Sequence, residues 1–276
     1  MLHIVIPAYN EELRLPRTLR ALRRFVTARR TVLGPVTVLV VDNASSDGTA
    51  DAARAASSPA MPVRVVRCTT RGKGAAVRAG LLAVEATDAD LVAFMDADGA
   101  TDLAAFEAAW VRVHHGADVV IGSRGLEGSV ADVRSRRVRT AGAAAYRRIA
   151  RRLVPEIADT QCGFKVIRGG LARLVAEPLG ARGFSFDVEL LVRLRAAGAR
   201  IDEIPVTWTD VPGSTFVPAR HGAGAFAELA AIAWRTRHLG APVAGRAAWV
   251  RAQSPMPLPA PVALPVPLAG SLVGEA

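Results

Sequence analysis

Short apolar runs rich in β-branched residues recur through the first half of the chain, at Leu2 to Ile6, Val36 to Val41, Val63 to Arg67, Leu91 to Met95 and Val119 to Ile121. Between them lie longer Ala/Leu/Arg segments of helical length, at Glu11 to Phe25, Asp47 to Ala56, Gly74 to Ala86 and Leu103 to His114. The runs are nearly continuous rather than alternating, as expected of strands covered on both faces. This order predicts an α/β fold with a mostly parallel sheet flanked by helices. Polar residues gather where the strands end, in Asn10-Glu11-Glu12, Asp42-Asn43, Arg71-Gly72-Lys73-Gly74 and Asp96-Ala97-Asp98. In an open sheet of this kind ligands bind at those carboxyl ends.

The second half is less regular. The pattern predicts a basic helix from Val133 to Leu153, a loop and short strand within Asp159 to Ile167, and a helix over Phe186 to Ala197. A strand at Ile201 to Val206 and an apolar helix from Ala223 to Trp234 follow. We read one domain over 1–240, with a nucleotide-binding half over about 1–123 and an acceptor half over about 124–240. Residues 241–276 read as a proline-rich flexible tail: 252–274 carry no charge, yet six prolines between Pro255 and Pro267 bar an ordinary membrane-spanning helix.

Charge narrows the class of partner. The 276 residues carry 35 basic and 25 acidic side chains, a formal charge of +10, which favours an anionic ligand or surface. Arginine accounts for nearly all the basic residues, and Lys73 and Lys165 are the two lysines. Arg134, Arg136, Arg137, Arg139, Arg147, Arg148, Arg151 and Arg152 share one segment with no acidic residue, whereas a merely solvated face normally mixes signs. Stacking aromatics are nearly absent there, which argues against nucleic acid. Cys68 and Cys162 are too few for a disulfide framework, and no secretory signal opens the chain, so a cytoplasmic location is expected.

Asp96 and Asp98 follow an apolar strand and flank a small alanine, so both carboxylates can face one crevice. Such a pair suits a hard divalent cation, Mg2+ or Mn2+, bridged to a diphosphate, although a solvated turn would give the same spacing. Asp42 ends a second strand and suits a base or ribose contact, while Asp47 or Ser46 suits a helix cap. Arg71-Gly72-Lys73-Gly74 opens a helix whose N–H groups would favour an anion, but it lacks the spacing of an ATP-hydrolysing loop.

Taken in order, Pro7-Ala8-Tyr9-Asn10-Glu11-Glu12, Asp42 with Ser45-Ser46-Asp47-Gly48-Thr49, Gly72-Lys73-Gly74, Asp96-Ala97-Asp98 and Gly122-Ser123-Arg124 resemble glycosyltransferase family 2, inverting enzymes of the Rossmann-like GT-A fold. Asp96 to Thr101, Asp159 to Lys165 and Phe186 to Leu191 are similar to the dolichyl-phosphate (polyprenyl-phosphate) β-glucosyltransferase branch. The resemblance covers roughly residues 2–240. It implies that Ala8, Tyr9, Glu11, Asp42 and Lys73 hold the nucleotide-sugar donor, with Asp96 at ribose or metal and Asp98 on the metal. It implies further that Arg124, Arg134 and Arg137 grip an acceptor phosphate, and that Asp159 and Gln161 lie near the sugar. Asp98, Asp159, Arg124 and Arg134 are thus the expected catalytic set.

The implied reaction moves a hexose, glucose from UDP-glucose, onto a polyprenyl phosphate, with Mg2+ or Mn2+ as cofactor. Its expected partners are the donor, the lipid phosphate and an anionic membrane surface touched peripherally on the inner face, through the arginine-rich segment and the last apolar helix, whose Phe226, Leu229, Ile232 and Ala233 fit helical spacing and read first as the face of a core helix. The rival readings are a family 2 enzyme using GDP-mannose or a non-lipid acceptor, and a noncatalytic nucleotide-sugar-binding module.

Overall fold

The computed structural model describes residues 1–132, 141–211 and 218–239. Four β/α steps and a fifth strand build the first half: β1 (Leu2–Ala8), α1 (Leu15–Ala28) and a short α2 (Arg30–Leu33), β2 (Val36–Asp42), α3 (Thr49–Ala55), β3 (Val63–Arg67), α4 (Lys73–Ala83), β4 (Leu91–Phe94), α5 (Ala105–His114) and β5 (Val119–Ser123). There follow β6 (Val130–Asp132), α6 (Ala141–Leu153), β7 (Lys165–Arg168), α7 (Gly169–Ala176), α8 (Phe186–Ala196), β8 (Ile201–Pro205), β9 (Thr207–Thr209) and α9 (Pro218–Thr236).

The main sheet runs β3-β2-β1-β4-β7-β5-β8, and β6 and β9 form a separate pair. All its pairings are parallel except those of β7, which is antiparallel to both β4 and β5. Two consequences position the site. The chain leaves β1 for β2 and β3 and then returns to β4, so β1 and β4 flank the switch point where the crevice opens. Because β7 runs backwards, its entry loop, 159–164, arrives at the carboxyl ends of β4 and β5 and joins that crevice.

The strands are covered on both faces, as their composition requires. Val5, Val41, Phe94 and Ile121 pack on the side of α4, α7 and α8, while Ile4, Ile6, Val38 and Val40 pack on the side of α1 and α5. The α/β expectation therefore holds, with three differences. The first helix starts at Leu15 rather than Glu11, because residues 11–14 form a turn in which the Arg14 and Leu15 amides donate to Glu11 O. The expected strand within 159–167 is confined to Lys165–Arg168. The basic helix is seen from Ala141, and 133–140, with Arg134, Arg136, Arg137 and Arg139, lie outside the described residues, as does the tail expected over 241–276.

One polar contact on the β1–β4 edge sets a pH dependence. Asp90 accepts the Met1 amino group at 2.7 Å and the Thr87 N–H and hydroxyl at 2.8 and 2.7 Å. Burial alone would raise its carboxyl, but these donors outweigh it and hold it at about 2. A depressed carboxyl pKa stabilises the fold above the unfolded value of 3.8, and that contribution disappears as pH falls through about 2. Asp90→Ala should cost about 1–2 kcal/mol at pH 6, after discounting for the exposed amine, and the gap from wild type should close toward pH 2 in urea titrations.

Candidate active site

The carboxyl ends of β1 and β4 open into a cleft of about 660 Å³. Ala8, Tyr9, Glu11, Lys73, Asp96, Asp98 and Arg124 line it, so most of the expected site residues do converge. Arg14, Asn43, Arg71, Gln161, Gly163, Phe184, Asp187 and Trp208 complete the walls. The cleft thus mixes four carboxylates with four cations, the composition needed to take up a diphosphate together with a metal ion.

On the donor side Lys73 Nζ lies 2.6 Å from Asp96 Oδ1. Burial disfavours the ammonium, but Asp96 and then Asp187 outweigh it and raise its pKa. Asp98 accepts the Ala100 N–H at 3.0 Å through Oδ1, which leaves Oδ2 for another partner. Burial, and next the like charge of Asp96, push its carboxyl up. A cation between the two aspartates would relieve that repulsion, and their all-oxygen chemistry fits Mg2+ or Mn2+ completed by diphosphate and water. Among the described residues no group of three or more His, Cys, Asp or Glu side chains assembles a metal cage.

Asp96 also dictates its neighbour. A Cβ on Gly163 would lie 2.0 Å from Asp96 Oδ2, so a larger residue there would push the Asp96 carboxylate from its place beside Lys73.

The residues around Asp42 divide into ligand-facing and structural. Asp42 itself is 3% exposed and accepts the Ser45 N–H at 3.2 Å, and the cleft wall is formed by Asn43. The Asn43 amide is a clamp: Nδ2 donates to Thr70 O at 2.6 Å and Oδ1 accepts the Gly72 N–H at 2.8 Å, fixing the loop that carries Lys73. An aspartate could not donate the first of these bonds. Ser45 to Thr49 latch the β1–α1 loop: Asn10 N–H donates to Ser45 Oγ, Glu12 N–H to Asp47, and Glu11 N–H to Thr49 Oγ1 at 2.8 Å. Glu11 pairs with Arg14, and burial nevertheless pushes its carboxyl up.

The start of α4 departs from the expected anion site. The Gly74 and Ala75 N–H groups donate to the carbonyls of Gly183 and Arg182, both at 3.2 Å, so these two amides are already paired. Attraction for an anion comes instead from the Lys73 side chain and from Arg71, whose guanidinium lies 5.8 Å from the Tyr9 ring centroid.

At the ends of β5 and of the loop entering β7, Arg124 and Asp159 hold each other. The guanidinium donates from Nε at 2.7 Å and from Nη2 at 3.0 Å, and the Arg124 N–H adds a third bond. Burial opposes the Asp159 anion, but this fork outweighs it and lowers its pKa. The Asp159 and Ala158 amides are fixed by Glu203, and Trp208 stacks 5.5 Å from the Arg124 guanidinium. Gln161 is oriented by Tyr146 Oη at 3.1 Å and Phe184 O at 3.2 Å. Arg134 and Arg137 belong to 133–140 and lie outside the described residues.

Phe184, Asp187 and Trp208 were not predicted as site residues. Asp187 heads α8 within a segment whose sequence carries a resemblance but no site signal of its own, and Trp208 arrives through β9 from a remote part of the chain.

The family model for glycosyl transferase family 2 matches residues 3–173. The chain is 34% identical over 231 residues to a dolichyl-phosphate beta-glucosyltransferase of Drosophila melanogaster, covering 79% of this chain and 69% of the relative. It is 30% identical over 230 residues to the enzyme of that name from Dictyostelium discoideum, with the same coverage. An undecaprenyl-phosphate mannosyltransferase of Micrococcus luteus is 34% identical over 211 residues, 75% of this chain and 82% of that one. Among solved structures, glucosyl-3-phosphoglycerate synthase of Mycobacterium tuberculosis, in complex with Mn2+, UDP and phosphoglyceric acid, superposes with a TM-score of 0.60 at 20% identity, covering 89% of this chain and 80% of that one. With a GT-A fold, a mixed-charge cleft at the sheet's switch point and these relatives, the chain belongs to glycosyl transferase family 2 and is a glycosyltransferase.

Proposed function

We propose that the protein transfers a hexose, glucose from UDP-glucose, to the phosphate of a polyprenol with inversion at the anomeric carbon. The observation that carries this reading is that one cleft gathers Asp96, Asp98 and Lys73 together with Arg124, which is backed by Asp159. The names of the Drosophila and Micrococcus relatives support the acceptor class. The donor half is residues 1–123 and the acceptor half 124–240.

In the reaction an acceptor phosphate oxygen bonds to the anomeric carbon as the bond from that carbon to the diphosphate oxygen breaks, the electron pair leaving with the diphosphate. A phosphomonoester is ionised at neutral pH, so the attacking oxygen needs little help from a base. The chain's work is positional and electrostatic. Ala8, Tyr9 and Glu11 border the nucleoside, Lys73 neutralises diphosphate charge, and Arg124, held by Asp159, presents its remaining donor face to the acceptor phosphate together with Arg134 and Arg137. A divalent cation on Asp98 and Asp96 would supply further stabilisation of the departing diphosphate.

Docking would be peripheral, at the cytoplasmic face. Among the described residues no helix is long and apolar enough to cross a membrane. Arg147, Arg148, Arg151 and Arg152 are exposed along α6, and the neighbouring α9 exposes 66% of Trp234, a basic and aromatic surface suited to anionic headgroups.

The test incubates the protein and Mn2+ with radiolabelled UDP-glucose, UDP-galactose or GDP-mannose and a short polyprenyl phosphate. Organic-phase label is expected from UDP-glucose and should exceed that from the other donors at least tenfold. Preferential label from GDP-mannose would overturn the sugar assignment, and label confined to the aqueous phase would overturn the lipid acceptor.

A further inference from the structure

The strap from Gly180 to Ser185 touches the cleft and is held almost entirely by side chains remote from it. The Glu228 carboxylate on α9 accepts three strap donors: Arg182 N–H at 2.9 Å, Gly183 N–H at 2.7 Å and Ser185 N–H at 3.0 Å. Ser185 Oγ adds a bond to Ala225 O of the same helix at 3.1 Å. From the strap, the Arg182 and Gly183 carbonyls accept the Ala75 and Gly74 amides and so fix the first turn of α4, which begins at Lys73. The approach is tight enough that a Cβ on Gly72, whose φ is +125°, would lie 2.1 Å from Arg182 O. The next strap residue, Phe184, lines the cleft, and its carbonyl orients Gln161.

We infer that Glu228 is a positioning residue for donor binding: through the strap it sets the first turn of α4 and hence the point from which Lys73 reaches the diphosphate. Three charge-assisted N–H bonds into the Glu228 carboxylate hold the half of the strap that meets α4, while Glu189 accepts the Gly180 and Ala181 amides in its first half. Glutamine at this position must set its NH2 group against a strap N–H, and aspartate is one methylene too short to serve all three donors. The inference rests on the donor-site reading above, so its test includes a measurement that needs no substrate.

Glu228→Gln should raise the donor KM roughly tenfold with kcat changed far less, because a turn displaced by a fraction of an ångström weakens the lysine's contact while leaving the remaining walls in place. Glu228→Asp should fall between the two. In a Lys73→Ala background the same substitution should add little, since both act on one contact. Amide hydrogen exchange on the free protein should show faster exchange in peptides spanning 180–186 and 72–76 for Glu228→Gln, with the central strands unchanged. Unchanged exchange in 72–76 would overturn the inference even if no donor proves active. An unaltered KM in a wild type that turns over, or a uniform loss of melting temperature and protection across the domain, would do the same. Absence of wild-type turnover with any nucleotide sugar, alongside the expected exchange pattern, would count against the donor assignment and leave the strap coupling supported.

Discussion

Asp98→Asn is expected to lower turnover by about 10²–10³-fold while leaving the melting temperature at or slightly above that of the wild type. The two halves of that result have one cause. Asparagine is nearly isosteric and its side-chain oxygen can still accept the Ala100 N–H, now made by Oδ1 at 3.0 Å, so the turn after β4 survives. What disappears is a negative charge that burial and Asp96 both disfavour in the free protein. Removing it relieves repulsion in the resting cleft and takes away the anion that would hold a cation against the leaving diphosphate, a trade between stability and activity common at such sites. Mn2+ with UDP should raise the melting temperature of the wild type and have little effect on the variant. Full turnover of the variant, or of the wild type in excess chelator, would remove Asp98 from the metal site.

What could be read from the sequence follows the range over which its signals act. Asp96, Asp98 and Lys73 were legible because each closes a β-strand or opens a helix in an α/β repeat, and the fold carries those ends to one crevice whatever the loops do. Asn43 carries no reading of its own in the sequence, where the base contact falls to Asp42, yet its amide clamps the loop before Lys73, a function visible only once Thr70 and Gly72 are seen beside it. The start of α4 looked like an anion site because its donors are unpaired within the helix, but the sequence does not reveal that Arg182 and Gly183 reach across to pair them. Arg124 lines the cleft, and its bidentate hold on Asp159 depends on β7 running antiparallel between β4 and β5, which the sequence does not show. Phe184 and Trp208 carry no local signature: their place in the wall is set by the strap and by the β6–β9 pair.

Lys165→Met is expected to destabilise the protein by about 3–5 kcal/mol, a large share of the 5–15 kcal/mol by which domains are typically stable. One of two lysines in an arginine-rich chain, Lys165 is fully buried, with its Nζ 2.5 Å from Asp187 Oδ1, 2.8 Å from Cys162 O and 5.1 Å from the centre of the Phe94 ring. A compact ammonium can address these three partners from one point, which a planar guanidinium cannot. Without it, Asp187, only 2% exposed, keeps a charge that burial already disfavours, since burial pushes its carboxyl up against the pull of Lys165 and Lys73. The loss should therefore shrink as pH falls through that raised pKa, because the carboxyl takes up a proton and the unpaired charge vanishes. Lys165→Met combined with Asp187→Leu should regain most of the stability, an apolar pair of similar volume replacing an ion pair. Activity should not return with it, because the cleft has lost the Asp187 carboxylate from its wall. Urea midpoints of the single and double variants at pH 5 and 8 measure both effects, and a Lys165→Met protein as stable as the wild type at pH 8 would show that no buried pair forms behind the cleft.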